Sequence, residues 1–68
     1  MKGVVKSYNS RRGVGELARD DGGADVPVFV SEVERAGLAT LVEGQRLSFG
    51  VQTDSMRKRS FAVRLELL

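Results

Sequence analysis

Apolar side chains recur at every second position along most of this chain, which is the period of a half-buried strand and not of a helix. Residues 2–9 form a first segment of this kind. The polar run Asn9-Ser10-Arg11-Arg12 turns the chain into a second, over 13–19. Asp20-Asp21-Gly22-Gly23 is the strongest turn signal, because paired glycines permit positive φ. A third strand is predicted over 25–30, with Val26, Val28 and Val30 on one side and Pro27 and Phe29 on the other. Ser31 opens an S-x-x-E sequence with Glu34, the form of a capping box. A short helical turn is therefore predicted over 32–36, with Gly37 ending it. Glu43-Gly44 turns into a fourth strand, 45–52, where Leu47, Phe49 and Val51 alternate inward. A polar, basic loop over 53–58 precedes a fifth strand, 59–67, with Phe61, Val63, Leu65 and Leu67 on one face. Five short strands with one helical turn between the third and fourth fit a small barrel closed on itself.

At 68 residues the chain is read as one domain, 1–68, with a small core and little room for a buried catalytic pocket. It has no cysteine, so no disulfide, thiolate chemistry or cysteine-based zinc site is expected. It has no histidine either, which removes the commonest general base and the commonest metal ligand. Asp20, Asp21 and Asp25 lack the spacing of a calcium loop and read as a solvated turn. Gly13-Val14-Gly15 is too short for a dinucleotide loop. With no convergent acid pair, the expectation is a protein that is not an enzyme, with no cofactor, no metal and no small-molecule substrate. No apolar run is long enough to span a bilayer or act as a signal peptide, so a soluble cytoplasmic protein with no membrane partner is expected.

The formal net charge of +2 is unevenly spread. Lys2, Lys6, Arg11, Arg12 and Arg19 face only Glu16 in the first nineteen residues. The middle is acidic, and Arg57, Lys58, Arg59 and Arg64 make the end basic again. Two basic segments that converge in the fold would form a patch for phosphates. The other reading is a solvated surface of mixed sign.

From Met1 to Ser31 the sequence runs MKGVVKSYNSRRGVGELARDDGGADVPVFVS. Its frame of Met1, Lys2, Gly3, Val5, Lys6, Asn9, Gly13, Gly15, Gly22, Gly23, Val26, Val28 and Ser31 resembles the cold-shock domain. That family's pattern is M-K-G-x-V-K-W-F-N, then K-G-F-G-F-I, a D-G-G turn and V-F-V-H-F-S. Further on, Glu43-Gly44-Gln45 and Leu47-Ser48-Phe49 resemble its E-G-Q-x-V-x-F. The resemblance covers essentially the whole chain. It implies the cold-shock variant of the OB fold, an all-β, five-stranded antiparallel barrel with one short helical turn. It also implies single-stranded RNA or DNA as partner, and roles such as RNA chaperoning or transcription regulation. The departures fall where the family stacks bases. Ser7 stands in place of Trp, and Val14, Glu16, Pro27 and Val30 in place of Phe.

Single strands bind such barrels through aromatic faces that stack on bases and cations that track phosphates. Phe29 is the one aromatic left on the outward side of strands two and three, where the family usually has His, and it is read as a contact residue in preference to a packing one. Tyr8, matching a family Phe, either stacks or covers the barrel. Lys2 and Lys6 match family lysines on the binding face. Asn9 either bonds a base edge or closes the turn with its own side chain. Arg11, Arg12, Arg57, Lys58 and Arg59 are read as phosphate contacts, and arginine can also stack on bases. Glu16 on that face would repel phosphate. Phe49 is assigned to the core; Phe61, where the family prefers a small residue, is read as filling core volume in preference to an outward, functional position.

The leading expectation is thus a single-stranded nucleic-acid-binding protein held mainly by charge, with weakened stacking. The alternative is a barrel that has lost nucleic acid and docks a protein partner through Val14, Pro27 and, where it reaches the surface, Val30.

Overall fold

The two-residue period folds into one curled sheet. A computed structural model describes residues 1–68. The strands are β1 (Lys2–Asn9), β2 (Val14–Arg19), β3 (Val26–Phe29), β4 (Arg46–Asp54) and β5 (Arg59–Leu67), with a helix α1 (Val30–Arg35) between β3 and β4. Every pairing is antiparallel, in the order β3-β2-β1-β4-β5. β3 and β5 pack against each other, but no hydrogen-bonded ladder joins them. The barrel expected to be closed is therefore open along one seam. Inward positions from all five strands, with Val33 of α1 and Leu41 beyond it, form one apolar cluster that includes Val5, Leu17, Val28, Leu47 and Phe49.

α1 begins two residues earlier than expected, and Ser31 is not its cap. Phe29 holds the N-cap position in an extended conformation and makes no side-chain capping bond. The Val30 N–H is satisfied instead by the Gly13 carbonyl at 2.8 Å. The chain thus passes from sheet to helix with no polar capping residue, and Ser31 lies inside the helix. Val30, expected inward with Val26 and Val28, is 40% exposed for the same reason. The other end behaves as read. Gly37 has φ +78° and donates to Glu34 O at 2.9 Å, and the Leu38 N–H reaches Val33 O at 3.0 Å. This paired closure calls for a left-handed residue, which glycine adopts without a Cβ clash.

The fourth and fifth strands depart from strict alternation. Ser48 pairs with Glu66 but Gly50 with Val63, so one β4 residue faces two on β5. The extra residue is Arg64, at φ +51°. A bulge shifts the phase of alternation by one; Val63 beside it stays buried, and the exchange of faces shows at Ala62 and Phe61. Leu65 is buried beyond the bulge, but before it Ala62 points inward, fully buried, and Phe61 does not. The core assignment of Phe61 is therefore overturned: its ring is half-buried on the outer side. Leu67, also assigned to the inner face, is 40% exposed at the strand end. Val51, assigned inward, is 38% exposed although it pairs with fully buried Ala62; it lies at the edge of the core, beyond which the hairpin residues are exposed or only partly buried. The hairpin turn itself is shorter than expected, with Asp54 Oδ1 accepting the Met56 and Arg57 N–H groups at 3.0 and 3.2 Å.

Gly3 lies where β1 leaves no room for a side chain against β2. A Cβ there would overlap the Ala18 carbonyl oxygen and sit 3.1 Å from the Phe49 ring. Gly3→Ala is expected to destabilise the fold by about 1–3 kcal/mol, the usual cost of overpacking. Gly50→Ala meets only the flexible Arg64 guanidinium and should cost less. Thermal denaturation by circular dichroism checks the order, and equal melting temperatures for the two variants would contradict the packing described.

Candidate nucleic-acid interface

Strand register sorts the outward side chains into rows. Asn9 pairs with Val14 and Val14 with Phe29, while Ser7 pairs with Glu16 and Glu16 with Pro27. Phe29 is the only aromatic ring in either row. Across the β3–β5 seam it meets Phe61, with ring centroids 6.3 Å apart and planes at 67°. Such edge-to-face pairs contribute about 0.5–1.5 kcal/mol beyond area burial. The two rings form one wall of a groove of about 320 Å³, whose other walls carry Arg57, Arg59, Asp54 and Glu32.

A second concavity, of about 290 Å³, opens between β1 and β2 beside Ser7, Tyr8, Arg12 and Val14. Tyr8 pairs with Gly15 and packs against the core cluster, so it covers the barrel and lends the cleft only part of its surface. Asn9 closes the β1–β2 turn: its Oδ1 accepts the N–H groups of Arg11 at 3.0 Å and Arg12 at 3.2 Å. Glu16 and Glu43 line this same cleft, and neither is ion-paired. Its charge is therefore unfavourable to phosphate, since only Arg12 opposes two carboxylates.

Ion pairing decides which cations are free. Lys6 donates to Asp25 at 2.7 Å, and that hydrogen bond raises its pKa above the ordinary lysine value. Arg57 is held loosely by Asp54, at 3.9 Å. Arg19, Arg35 and Arg46 pair with Asp21, Glu32 and Asp20. Lys2, Arg11, Arg12, Lys58, Arg59 and Arg64 have no carboxylate partner. Arg11 and Arg12 lie in the turn that leads to Val14, and Lys58 and Arg59 lie at the turn that leads to Phe61. The fold thus brings two basic turns to either side of Phe29. Lys2 is left out, at the far end of β1 opposite Ser48.

The sequence itself matches a family model described as the 'Cold-shock' DNA-binding domain over residues 1–66. The chain belongs to the cold-shock domain family. It is 45% identical over 60 residues to the cold shock protein CspA of Rhizobium meliloti, covering 88% of this chain and 87% of that protein. It is 46% identical over 52 residues to the cold shock protein CspV of Vibrio cholerae, covering 76% of this chain and 74% of that one. With the cold shock-like protein of Aquifex aeolicus it shares 34% over 65 residues, or 96% and 93% of the two chains. Membership supports a nucleic-acid-binding cold-shock-like protein, with single-stranded nucleic acid as the partner class.

Within this cold-shock domain, sequence reasoning named Phe29 and the basic turns as candidates and ranked an outward Phe61 below a core one, where the structure places its ring half-buried on the outer side. The β5 pattern gave no signal for it. A bulge residue at positive φ is ordinarily glycine, and here it is Arg64.

The Asp20–Gly23 turn has its own electrostatic lock. Arg19 donates to both carboxylate oxygens of Asp21, at 2.9 and 2.5 Å, and the Gly23 N–H donates to Oδ1 at 2.9 Å. These bonds, that from Arg19 first, hold the Asp21 carboxyl below its ordinary 3.8. A depressed carboxylate pKa stabilises the fold fully above the unfolded value, and this is lost as pH falls through the folded one. Asp21→Asn should therefore be less stable than the parent at pH 5, with the gap closing towards pH 2 (both pH values are roughly placed around the ordinary carboxylate range). Denaturation midpoints across that window check it.

Proposed function

We propose that this cold-shock domain binds single-stranded RNA or DNA chiefly through charge. The observation that carries the reading is the pair of basic turns flanking Phe29, in which Arg11, Arg12, Lys58 and Arg59 have no carboxylate partner. In this reading those four hold phosphates, with Arg57 in support, and Phe29 stacks on a base. Asn9 offers its amide nitrogen to a base edge while its oxygen holds the turn. Tyr8 adds a partial apolar edge. Lys2 and Lys6 add longer-range attraction, with Lys6 discounted by Asp25. The whole of residues 1–68 acts as one binding domain, in the cytoplasm, in RNA chaperoning or transcription regulation and without catalysis.

A protein-docking role has one observation in its favour. Val30 reaches the surface, 40% exposed, near half-buried Val14 and Pro27. These side chains are small, and Glu16 lies among them. The nucleic-acid reading therefore ranks first.

Titrating a labelled short single strand at rising salt tests the proposal. Each phosphate contact on a single strand contributes a slope of about −0.7 in log K against log salt. Removing Lys58 and Arg59 together should flatten the slope by about 1.4, for two contacts at that value. Tight binding with a shallow slope in the parent would defeat an electrostatic mechanism.

Glu16 gives a second expected outcome. It is exposed, between Ser7 and Pro27, in the row where the family stacks bases. Glu16→Phe removes a repelling carboxylate and supplies a face, so affinity should rise by about tenfold or more, given 1–3 kcal/mol per stacked base. Unchanged affinity in a folded variant would place the contact surface away from β2.

A further inference from the structure

We propose that Phe61, set against Phe29 across the β3–β5 seam, is a base-stacking residue. Together the two rings form a subsite for one nucleobase of a single strand, with the adjoining phosphate on Arg59. The inference rests on the nucleic-acid reading above and adds to it a stacking position at the seam, beside the β1–β2 face.

Three observations converge on the seam. First, the β1–β2 side is poorly suited to a base and its phosphate. Ser7, Val14 and Glu16 offer no π-face, Tyr8 packs against the core and lends the cleft only part of its surface, and Glu16 and Glu43 both line it without an ion partner. Second, the seam groove holds both outward phenylalanines of the chain. They meet edge to face at 6.3 Å, each only half-buried, so ring surface remains open to a third flat group. Third, the same groove carries Arg59 without a carboxylate partner and Arg57 held only at 3.9 Å, so cations lie where the strand's phosphates would run. The groove, at about 320 Å³, is open and large enough for a base. Two carboxylates also line the groove: Asp54, whose Oδ1 accepts the N–H groups of its own turn, and Glu32, paired with Arg35 at 3.6 Å.

The rival role for Phe61 is purely structural, an apolar plug in a seam that lacks backbone bonds. Phe61→Leu separates the two, because leucine keeps apolar volume and loses the π-face. The probe is a labelled single-stranded hexanucleotide of mixed sequence, in DNA and RNA forms, titrated against parent and variant, with melting temperatures measured in parallel. The variant should bind about five- to hundred-fold more weakly, as loss of one stacked base predicts, with the parent's salt slope. Phe61→Trp should bind at least as tightly as the parent. In the unmodified protein, the Phe61 and Phe29 ring protons should shift as the hexanucleotide saturates it. Equal affinity of Phe61→Leu and parent, or saturation with no shift at the Phe61 ring, overturns the subsite and leaves the nucleic-acid reading standing. A parent protein that binds neither hexanucleotide overturns both.

Discussion

Between β3 and β5 no backbone hydrogen bonds run, so the barrel closes there on side chains alone. Inside the seam, Val26 and Val28 join Ala62 and Leu65 in the core cluster, and outside it Phe29 meets Phe61. Hydrophobic burial and dispersion must supply the cohesion that a ladder supplies elsewhere, and both scale with contact area. A phenylalanine is therefore well placed at position 61. What aims it there is the bulge at Arg64. Without the extra residue, Ala62 would turn outward and the larger ring would be driven into space that alanine now fills. The position of the second ring thus depends on one backbone irregularity three residues away.

Charge works on this surface locally. A net charge of +2 steers weakly, and at physiological salt fields fade over about 8 Å. What matters is which charges lack a nearby opposite. Lys6 is held by Asp25, and the Asp20–Gly23 turn engages both Arg19 and Arg46. While Arg19 and Asp21 are held by several bonds, the pairs Lys6–Asp25 and Arg46–Asp20 are largely exposed and contribute little to stability. Their larger consequence is subtraction, since the cations that remain are concentrated in the two hairpin turns. The unpaired carboxylates Glu16 and Glu43 are placed together on the other side of Val14.

The sequence made the architecture legible because period and turn chemistry agreed. Five strands, their order along the chain, the glycine that ends α1 and the inward set Val5, Leu17, Val28, Leu47 and Phe49 all follow from local signals. The misreadings share a cause. Ser31 looked like a cap, but Gly13 already satisfied the helix's first N–H from across a turn, a long-range bond no local pattern encodes. Phe61 and Val51 were placed by alternation carried through a bulge and past the end of the core. Bulges are legible when glycine marks them, and Arg64 does not. Likewise the cationic residues were easy to name, but which of them are free depended on Asp20, Asp25 and Asp54 coming close only in the fold.

A ring that closes a seam and also meets a ligand is constrained in both roles. Held by its neighbour, it loses little rotamer freedom when a base arrives, so less of the contact energy offsets ordering. But the part of the ring that closes the seam is not available to the base, so each stacking contact is smaller than an open aromatic face provides. Removing the rings at 7, 14 and 16 from the front of the barrel and leaving two half-buried ones at its seam lowers the share of binding that stacking can carry. The remainder must come from phosphates. That is the balance the free arginines and lysine of the two turns fit, and under the proposed charge-led binding salt, more than base identity, would set affinity on this surface.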